Sequence, residues 1–194
     1  MKQVKQMKNL KAIALALTVV FSTLSVTAQT KKVDASKSSI NWVGKKVTGQ
    51  HNGTVSVKEG TLIFRGDKLA GGNFTVDMPT LTCTDLSGDS QGKLNGHLKS
   101  EDFFGTEKFS TSTLVFKTVA AKGKNIYAIT ADLTIKNSTH PVAFDITVNG
   151  NTATTAFKVD RTKYDIKYGS GSFFDNLGDK AISDDFELAV ALKF

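Results

Sequence analysis

The feature that most constrains this chain is an alternation of apolar and polar residues with a period of two. Apolar side chains occupy every second position in four long stretches, 127–136, 142–149, 153–159 and 186–194. Shorter versions occur at 40–42, 55–57, 62–64, 74–78 and 114–116. Such alternation is typical of β-strands with one buried and one solvated face. The pattern therefore predicts an all-β chain.

Turn-forming residues separate these stretches. Glycine- and asparagine-containing segments at 65–67, 122–125 and 149–151 predict hairpin turns. Residues 58–60 predict a further turn between strands at 55–57 and 62–64. About eight antiparallel strands joined in this way favour one closed or strongly curved sheet. A closed eight-stranded barrel can hold one small ligand.

Two segments depart from the strand pattern. Residues 90–100 place Leu94 and Leu98 four positions apart and offer serine and aspartate as N-caps, which predicts one short helix. Residues 168–184 are rich in glycine, serine and aspartate and predict a loop over one end of the sheet.

The N-terminal segment predicts export. Lysines at positions 2, 5, 8 and 11 precede an apolar run at 12–24, and Val26 and Ala28 are small residues at the −3 and −1 positions of a cleavage site. This is the arrangement of a secretory signal peptide. We expect residues 1–28 to be removed and residues 29–194 to form one domain. Much of the formal net charge of +7 belongs to the removed segment, which argues against a nucleic-acid partner.

The cysteine content indicates that the hydrophobic core, and not disulfide bonds, stabilises the chain. Cys83 is the only cysteine, so an intramolecular disulfide framework is excluded. Its expected role is that of a small buried apolar residue.

Several strings occur in an order that resembles a known family. They are INWVGK at 40–45, GQHNG at 49–53, GGNFTVDM at 71–78, KLNGHLKSEDFF at 93–104, LTIK at 133–136 followed by HPV at 140–142, and VDRTKYDIKYGS at 159–170. Together they resemble the YceI-like family of exported bacterial proteins, over residues 33–194. One departure is Asn137-Ser138, where the family usually has a glycine-containing turn.

The resemblance implies a lipocalin-like antiparallel β-barrel with about eight strands and one short helix. Its interior tunnel would accommodate a long apolar chain, such as an isoprenoid, an isoprenoid quinone or a fatty-amide-like lipid. The family pattern contains no catalytic residues and requires neither a metal nor another cofactor. A homodimer is possible for the family.

An apolar tunnel requires large side chains without polar atoms. The alternation and the resemblance together give the candidate lining residues Trp42, Phe64, Phe74, Met78, Phe116, Leu133, Phe144 and Phe157. Phe103 and Phe104 follow the predicted helix, and one of them is a candidate cap for the tunnel mouth. The alternative is that these side chains fill a solid core, or anchor the helix to the barrel.

Three polar residues are candidates for a ligand head group or the tunnel mouth. His51 and His97 lie in the strings that carry the resemblance, and Arg161 follows an inward-alternating strand. Their alternative roles are hydrogen bonds to the backbone for the histidines and an arginine–carboxylate clasp at a strand end for Arg161. No histidine pair, His140 included, has the spacing of a local metal motif, so we predict no metal.

The leading hypothesis is an exported, non-catalytic carrier of a long-chain amphiphilic lipid. An integral outer-membrane barrel is an alternative, because alternation does not say which way the apolar face points. An enzyme acting on the enclosed lipid is a weaker alternative, since the sequence has neither a nucleophile elbow nor a phosphate-binding glycine loop.

Overall fold

The computed structural model describes residues 27–194, so the predicted signal peptide lies almost wholly outside the described residues. The strands are β1 (Ala28–Lys32), β2 (Ser39–Lys46), β3 (Gly49–Arg65), β4 (Lys68–Cys83), β5 (Thr111–Gly123), β6 (Ile126–Ile135), β7 (Ser138–Asn149), β8 (Thr152–Asp160) and β9 (Ile182–Lys193). One α-helix, α1 (Gly88–Lys99), interrupts them. None of the helices in this part of the chain has the length and apolarity needed to cross a bilayer.

Strands β2 to β9 close into an eight-stranded antiparallel barrel. Neighbours in sequence pair antiparallel from β2 to β9, and β2 pairs with β9 to complete the circle. The short strand β1 adds to the far part of β3, opposite Thr61–Arg65. The predicted all-β barrel with one helix is confirmed. Because the barrel is closed, few strand edges are left unpaired. The inward-facing side chains of its strands share one interior.

The predicted turn at residues 58–60 is wrong. Strand β3 runs for 17 residues through this segment without reversing. Its register against β4 shifts between Val57 and Glu59, so a bulge takes the place of the turn. Gly60 is needed for packing, because a Cβ atom there would lie 2.6 Å from the ring of Phe74.

The other predicted turns are present. Gly66 and Gly150 have φ values of 58° and 59° in their hairpins, as glycine readily allows. In the β6–β7 hairpin the residues with positive φ are Lys136 and Asn137, at 49° and 65°. The chain thus makes this tight turn without glycine, at the position where it departs from the family pattern.

Helix α1 begins at Gly88, slightly earlier than predicted, and it is anchored to the end of β4. The Gln91 side chain donates to the carbonyl of Cys83 at 2.8 Å, and the Asn95 side chain accepts the Cys83 N–H at 2.7 Å. The predicted loop at 168–184 is largely irregular, with one 3-10 turn at Gly178–Lys180. Strand β9 begins at Ile182, inside the predicted loop.

Candidate functional site: an apolar cavity inside the barrel

The barrel interior encloses a cavity of about 180 Å³. This is more than ten times the roughly 10–15 Å³ that one water molecule requires on the same measure. Nine of the predicted lining residues border it: Trp42, Phe74, Met78, Phe103, Phe104, Phe116, Leu133, Phe144 and Phe157. Aliphatic side chains such as Val55, Leu114 and Val190 complete a lining that is almost entirely apolar.

A run of aromatic rings forms one wall of the cavity. Phe144 on β7 stacks on Phe157 on β8, with ring centroids 4.5 Å apart. Phe116 on β5 lies edge-on to Phe144 at 6.0 Å, and it meets Phe74 on β4 at 5.6 Å. Each of these rings sits at an inward position of its strand, so the alternation read from the sequence places them together. The wall has large apolar area and no polar atom to satisfy.

Phe103 and Phe104 both border the cavity, although neighbours on a regular strand could not. They lie in the turn after α1, where the Phe104 N–H donates to the Leu98 carbonyl at 3.1 Å. Phe104 meets Phe186 edge-on, with ring centroids 6.1 Å apart. The segment after α1 therefore closes part of the cavity with two aromatic rings.

A few polar residues border the cavity where β8 ends and β9 begins. Arg161, Ser183 and Asp185 border it there. Arg161 is only 3% exposed. Its guanidinium donates from Nε to the Ser183 carbonyl at 2.9 Å, from Nη1 to the Ile166 carbonyl at 2.7 Å and from Nη2 to the Ile182 carbonyl at 3.0 Å. These bonds tie the end of β8 to the start of β9.

The electrostatics of Arg161 combine burial with a nearby acid. Burial lowers the pKa of the guanidinium, and the carboxylates of Asp184 and Asp160 oppose that shift. Asp184 lies 3.7 Å from Nη2, whereas Asp160 caps the following 3-10 helix through Thr162. An arginine remains charged under all ordinary conditions. The predicted clasp is therefore present, with backbone carbonyls as its main acceptors and Asp184 as the nearby carboxylate.

Phe64 does not border the cavity, contrary to the prediction. It lies near one end of β3, where its ring is 5.7 Å from that of Phe194 and 4.9 Å from the Lys31 ammonium. Its ring is buried, and the register of β3 against β4 also shifts between Ile63 and Phe64. Phe64 is a core residue beneath β1.

The position of Phe64 separates packing from ligand binding. Phe64→Leu is expected to lower the free energy of unfolding by about 1–2 kcal/mol, because it removes buried ring atoms and leaves a void. Bound lipid per chain should stay at the wild-type level. Urea denaturation and lipid quantification on the same preparation measure the two effects. A loss of lipid without a loss of stability would instead place Phe64 at the ligand.

The two candidate histidines also lie away from the cavity lining. His51, on β3 directly opposite Gly44, contacts Asp85 through Nδ1 at 2.9 Å. His97, on α1, lies edge-on to Phe103 and Tyr168, with ring centroids 4.9 Å and 4.5 Å away. His140 contacts the buried ring of Tyr164 in the same manner. His97 thus contacts Phe103, which lines the cavity, but does not border the cavity itself.

Sequence reasoning missed Gly44 as a lining residue. Gly44 borders the cavity, and a Cβ atom placed on it would have no other heavy atom within 4 Å. It occupies the inward position that follows Ile40 and Trp42 in the period of two. The period of two indicates this position, but glycine has no apolar side chain and so does not stand out in the pattern.

The fold and the site together define a class of protein. A closed antiparallel barrel around an apolar cavity is the architecture of lipocalin-like binding barrels. The chain belongs to the YceI-like family, whose domain it matches over residues 32–194.

Relatives by sequence match part of the chain. A UPF0312 protein of Staphylococcus epidermidis is 40% identical over 72 residues, which are 37% of this chain and 39% of the relative. A UPF0312 protein of Staphylococcus aureus is 43% identical over 56 residues, 29% of this chain and 30% of the relative. The match thus spans about two fifths or less of the length of these curated relatives.

Solved structures share the fold. BcnA of Burkholderia cenocepacia superposes with a TM-score of 0.61 at 24% identity, covering 82% of this chain and 98% of BcnA. A polyisoprenoid binding domain from Saccharophagus degradans, implicated in plant cell wall breakdown, has a TM-score of 0.56 at 14% identity, covering 83% and 95%. The YCEI protein of Campylobacter jejuni has a TM-score of 0.54 at 13% identity, covering 100% and 98%.

Proposed function

We propose that the protein is a non-catalytic carrier that holds a long-chain amphiphilic lipid in the barrel cavity. The observation that carries this proposal is an almost wholly apolar cavity whose lining residues include the buried Arg161. Each CH₂ group transferred from water into such a lining gains roughly 0.8 kcal/mol. A chain of several isoprene or methylene units therefore has a strong reason to leave water for this interior.

The buried guanidinium of Arg161 suits a head group. Three of its five N–H groups donate to backbone carbonyls, which fixes the guanidinium in place, and two N–H groups have no carbonyl partner among the described residues. An oxygen-bearing head group, such as a quinone, phosphate or amide, offers acceptors for them. The polyisoprenoid binding of the Saccharophagus degradans domain, which shares this fold, supports an isoprenoid as the cargo.

The outer surface argues against the alternative of an integral membrane barrel. Ion pairs cross the outside of several strands, with Lys117 to Asp132 at 3.3 Å and Lys122 to Asp145 at 2.6 Å. Charged side chains on a lipid-facing strand surface are costly. The apolar face of the alternation points inward, so the barrel has the orientation of a carrier.

The cavity also offers little for catalysis. Among the cavity-lining residues of the described chain, Arg161 and Asp185 alone carry ionisable side chains. The guanidinium of Arg161 is held by carbonyls and cannot act as a base at ordinary pH. A single carboxylate without a partnered acid, base or nucleophile favours containment over turnover.

The test is mass spectrometry of an organic extract from natively purified protein. We expect a long-chain isoprenoid or fatty lipid close to one molecule per chain, absent from an extract of unfolded protein washed free of lipid and refolded. The reloaded protein should melt at a higher temperature than the delipidated protein, because a ligand that binds the native state stabilises it. Identical melting of the two forms would contradict binding inside the barrel.

Export completes the proposal. The basic, apolar and small-residue segments of residues 1–28 support cleavage after Ala28 and delivery to the periplasm or beyond. The mature protein is expected to begin at Gln29 and to be released by osmotic shock without detergent. N-terminal sequencing of the native protein measures this directly, and a retained Met1 would refute cleavage.

A further inference from the structure

A cluster of three different metal-ligating side chains lies outside the set of residues that line the cavity. Cys83 ends β4, Asp85 follows two residues later, and His51 lies on the adjacent strand β3. A ring nitrogen of His51, the Cys83 Sγ and a carboxylate oxygen of Asp85 all lie within 4.8 Å of one another. The prediction of no metal rested on spacing along the chain, whereas the pairing of β3 with β4 brings these residues together.

His51 and Cys83 both contact the carboxylate of Asp85. His51 Nδ1 lies 2.9 Å from one oxygen of Asp85, and the Cys83 thiol donates to the other at 3.0 Å. The backbone N–H of Asn52 donates to that second oxygen at 2.9 Å and holds the carboxylate in place. Without a metal, protons occupy the positions between these ligand atoms.

We infer that His51, Cys83 and Asp85 bind one zinc ion. Tetrahedral coordination, with Zn–S near 2.3 Å and Zn–N and Zn–O near 2.0 Å, sets separations of roughly 3.3–3.6 Å between ligand atoms. The present separations, from 2.9 Å to at most 4.8 Å, bracket that range. A thiolate, an imidazole and a carboxylate together favour zinc over calcium or magnesium, which select oxygen ligands.

The burial of the three side chains suits an ion that arrives from solvent. The side chains of His51 and Asp85 are 34% and 28% exposed, and the Cys83 sulfur lies beneath them. As the S–Zn bond forms, the Cys83 thiol gives its proton to solvent and His51 binds as the neutral tautomer protonated at Nε2. A water molecule takes the fourth position on the exposed side.

The ion would reinforce the attachment of α1. Gln91 and Asn95 of that helix hydrogen-bond to the backbone of Cys83, so a metal there joins β3 to the point where α1 is anchored. Leu98 of the same helix borders the cavity. We therefore expect zinc to raise the melting temperature while leaving the identity of the extracted lipid unchanged.

Titration of the purified, chelator-stripped protein with Co²⁺ and with Zn²⁺ tests the site. Co²⁺ should bind at one ion per chain and give a thiolate-to-cobalt charge-transfer band, which Zn²⁺ abolishes by displacement. Cys83→Ser should remove the band. His51→Gln and Asp85→Asn should each weaken zinc binding by at least about ten-fold, the scale on which even outer-shell partners act.

His140→Gln is the matched control, because it removes a histidine outside the cluster. It should bind both metals as the wild type does. His51→Gln alters a partly exposed side chain, so it provides a folded variant even if Cys83→Ser does not fold. Absence of the charge-transfer band in the wild type, or equal zinc affinity of His51→Gln, His140→Gln and the wild type, would overturn the inference.

Discussion

Arg161→Met is expected to lower the free energy of unfolding by about 3–5 kcal/mol, the cost of removing one partner from a buried charged network. Methionine approximates the length of the side chain but donates no hydrogen bond. The carbonyls of Ile166, Ile182 and Ser183 would each lose their guanidinium partner. An unsatisfied buried acceptor costs roughly 1–3 kcal/mol. Urea denaturation, followed by the fluorescence of Trp42, measures the loss.

The chain supplies its own control. Arg65 is exposed at the β3–β4 turn, and it is the only other arginine of the sequence. Arg65→Met should change stability by less than about 0.5 kcal/mol, as surface substitutions usually do. The free energy of unfolding of Arg161→Lys should fall between those of the wild type and Arg161→Met. An ammonium group cannot reproduce the planar set of N–H donors of a guanidinium. Equal stability of the two methionine variants would show that the clasp does not hold the barrel together.

The fold was largely predictable because the barrel repeats one simple physical rule. Strands β6 to β9 alternate without interruption, so their residues read directly as buried and exposed faces. The failure at residues 58–60 arose because a charged pair followed by glycine is compatible with either a turn or a bulge. The choice is made by the pairing of β3 with β4, which is a long-range contact that no local pattern contains.

The candidate site, like the fold, was only partly predictable from the sequence. The aromatic wall follows from the alternation, and Phe103 and Phe104 are candidates because they follow the predicted helix. The prediction that Phe64 lines the cavity is wrong, because a period of two shows which face of a strand a residue occupies but not how far along the barrel axis it lies. His51 was singled out, but its partners Cys83 and Asp85 lie 32 and 34 positions further along the chain. Only strand pairing reveals that they meet.

Gly44→Leu is expected to reduce bound lipid per chain by at least about ten-fold, which corresponds to 1.4 kcal/mol of binding free energy. The new side chain would occupy open space inside the cavity, because no heavy atom lies within 4 Å of a Cβ at this position. It therefore competes with the ligand for volume, and its Cβ meets no protein atom. The free energy of unfolding of the delipidated protein should be unchanged or slightly higher, since filling a void in a core is stabilising.

Gly123→Leu is the matched control, since Gly123 is exposed at the end of β5 and its Cβ would also meet open space. It should retain wild-type lipid, as measured by mass spectrometry of the extract.

Phe144→Ala tests the cavity by removing a side chain from its wall instead of adding one. In a solid core it would cost about 3–5 kcal/mol, whereas the wall of a filled cavity should lose less stability and hold less lipid. Wild-type lipid content in Gly44→Leu, or a loss of 3–5 kcal/mol for Phe144→Ala in protein that yields no lipid, would reject the carrier. Loss of lipid in Gly44→Leu alone would show that the cargo lies inside the barrel, because the two glycine variants add the same side chain and differ only in where it points.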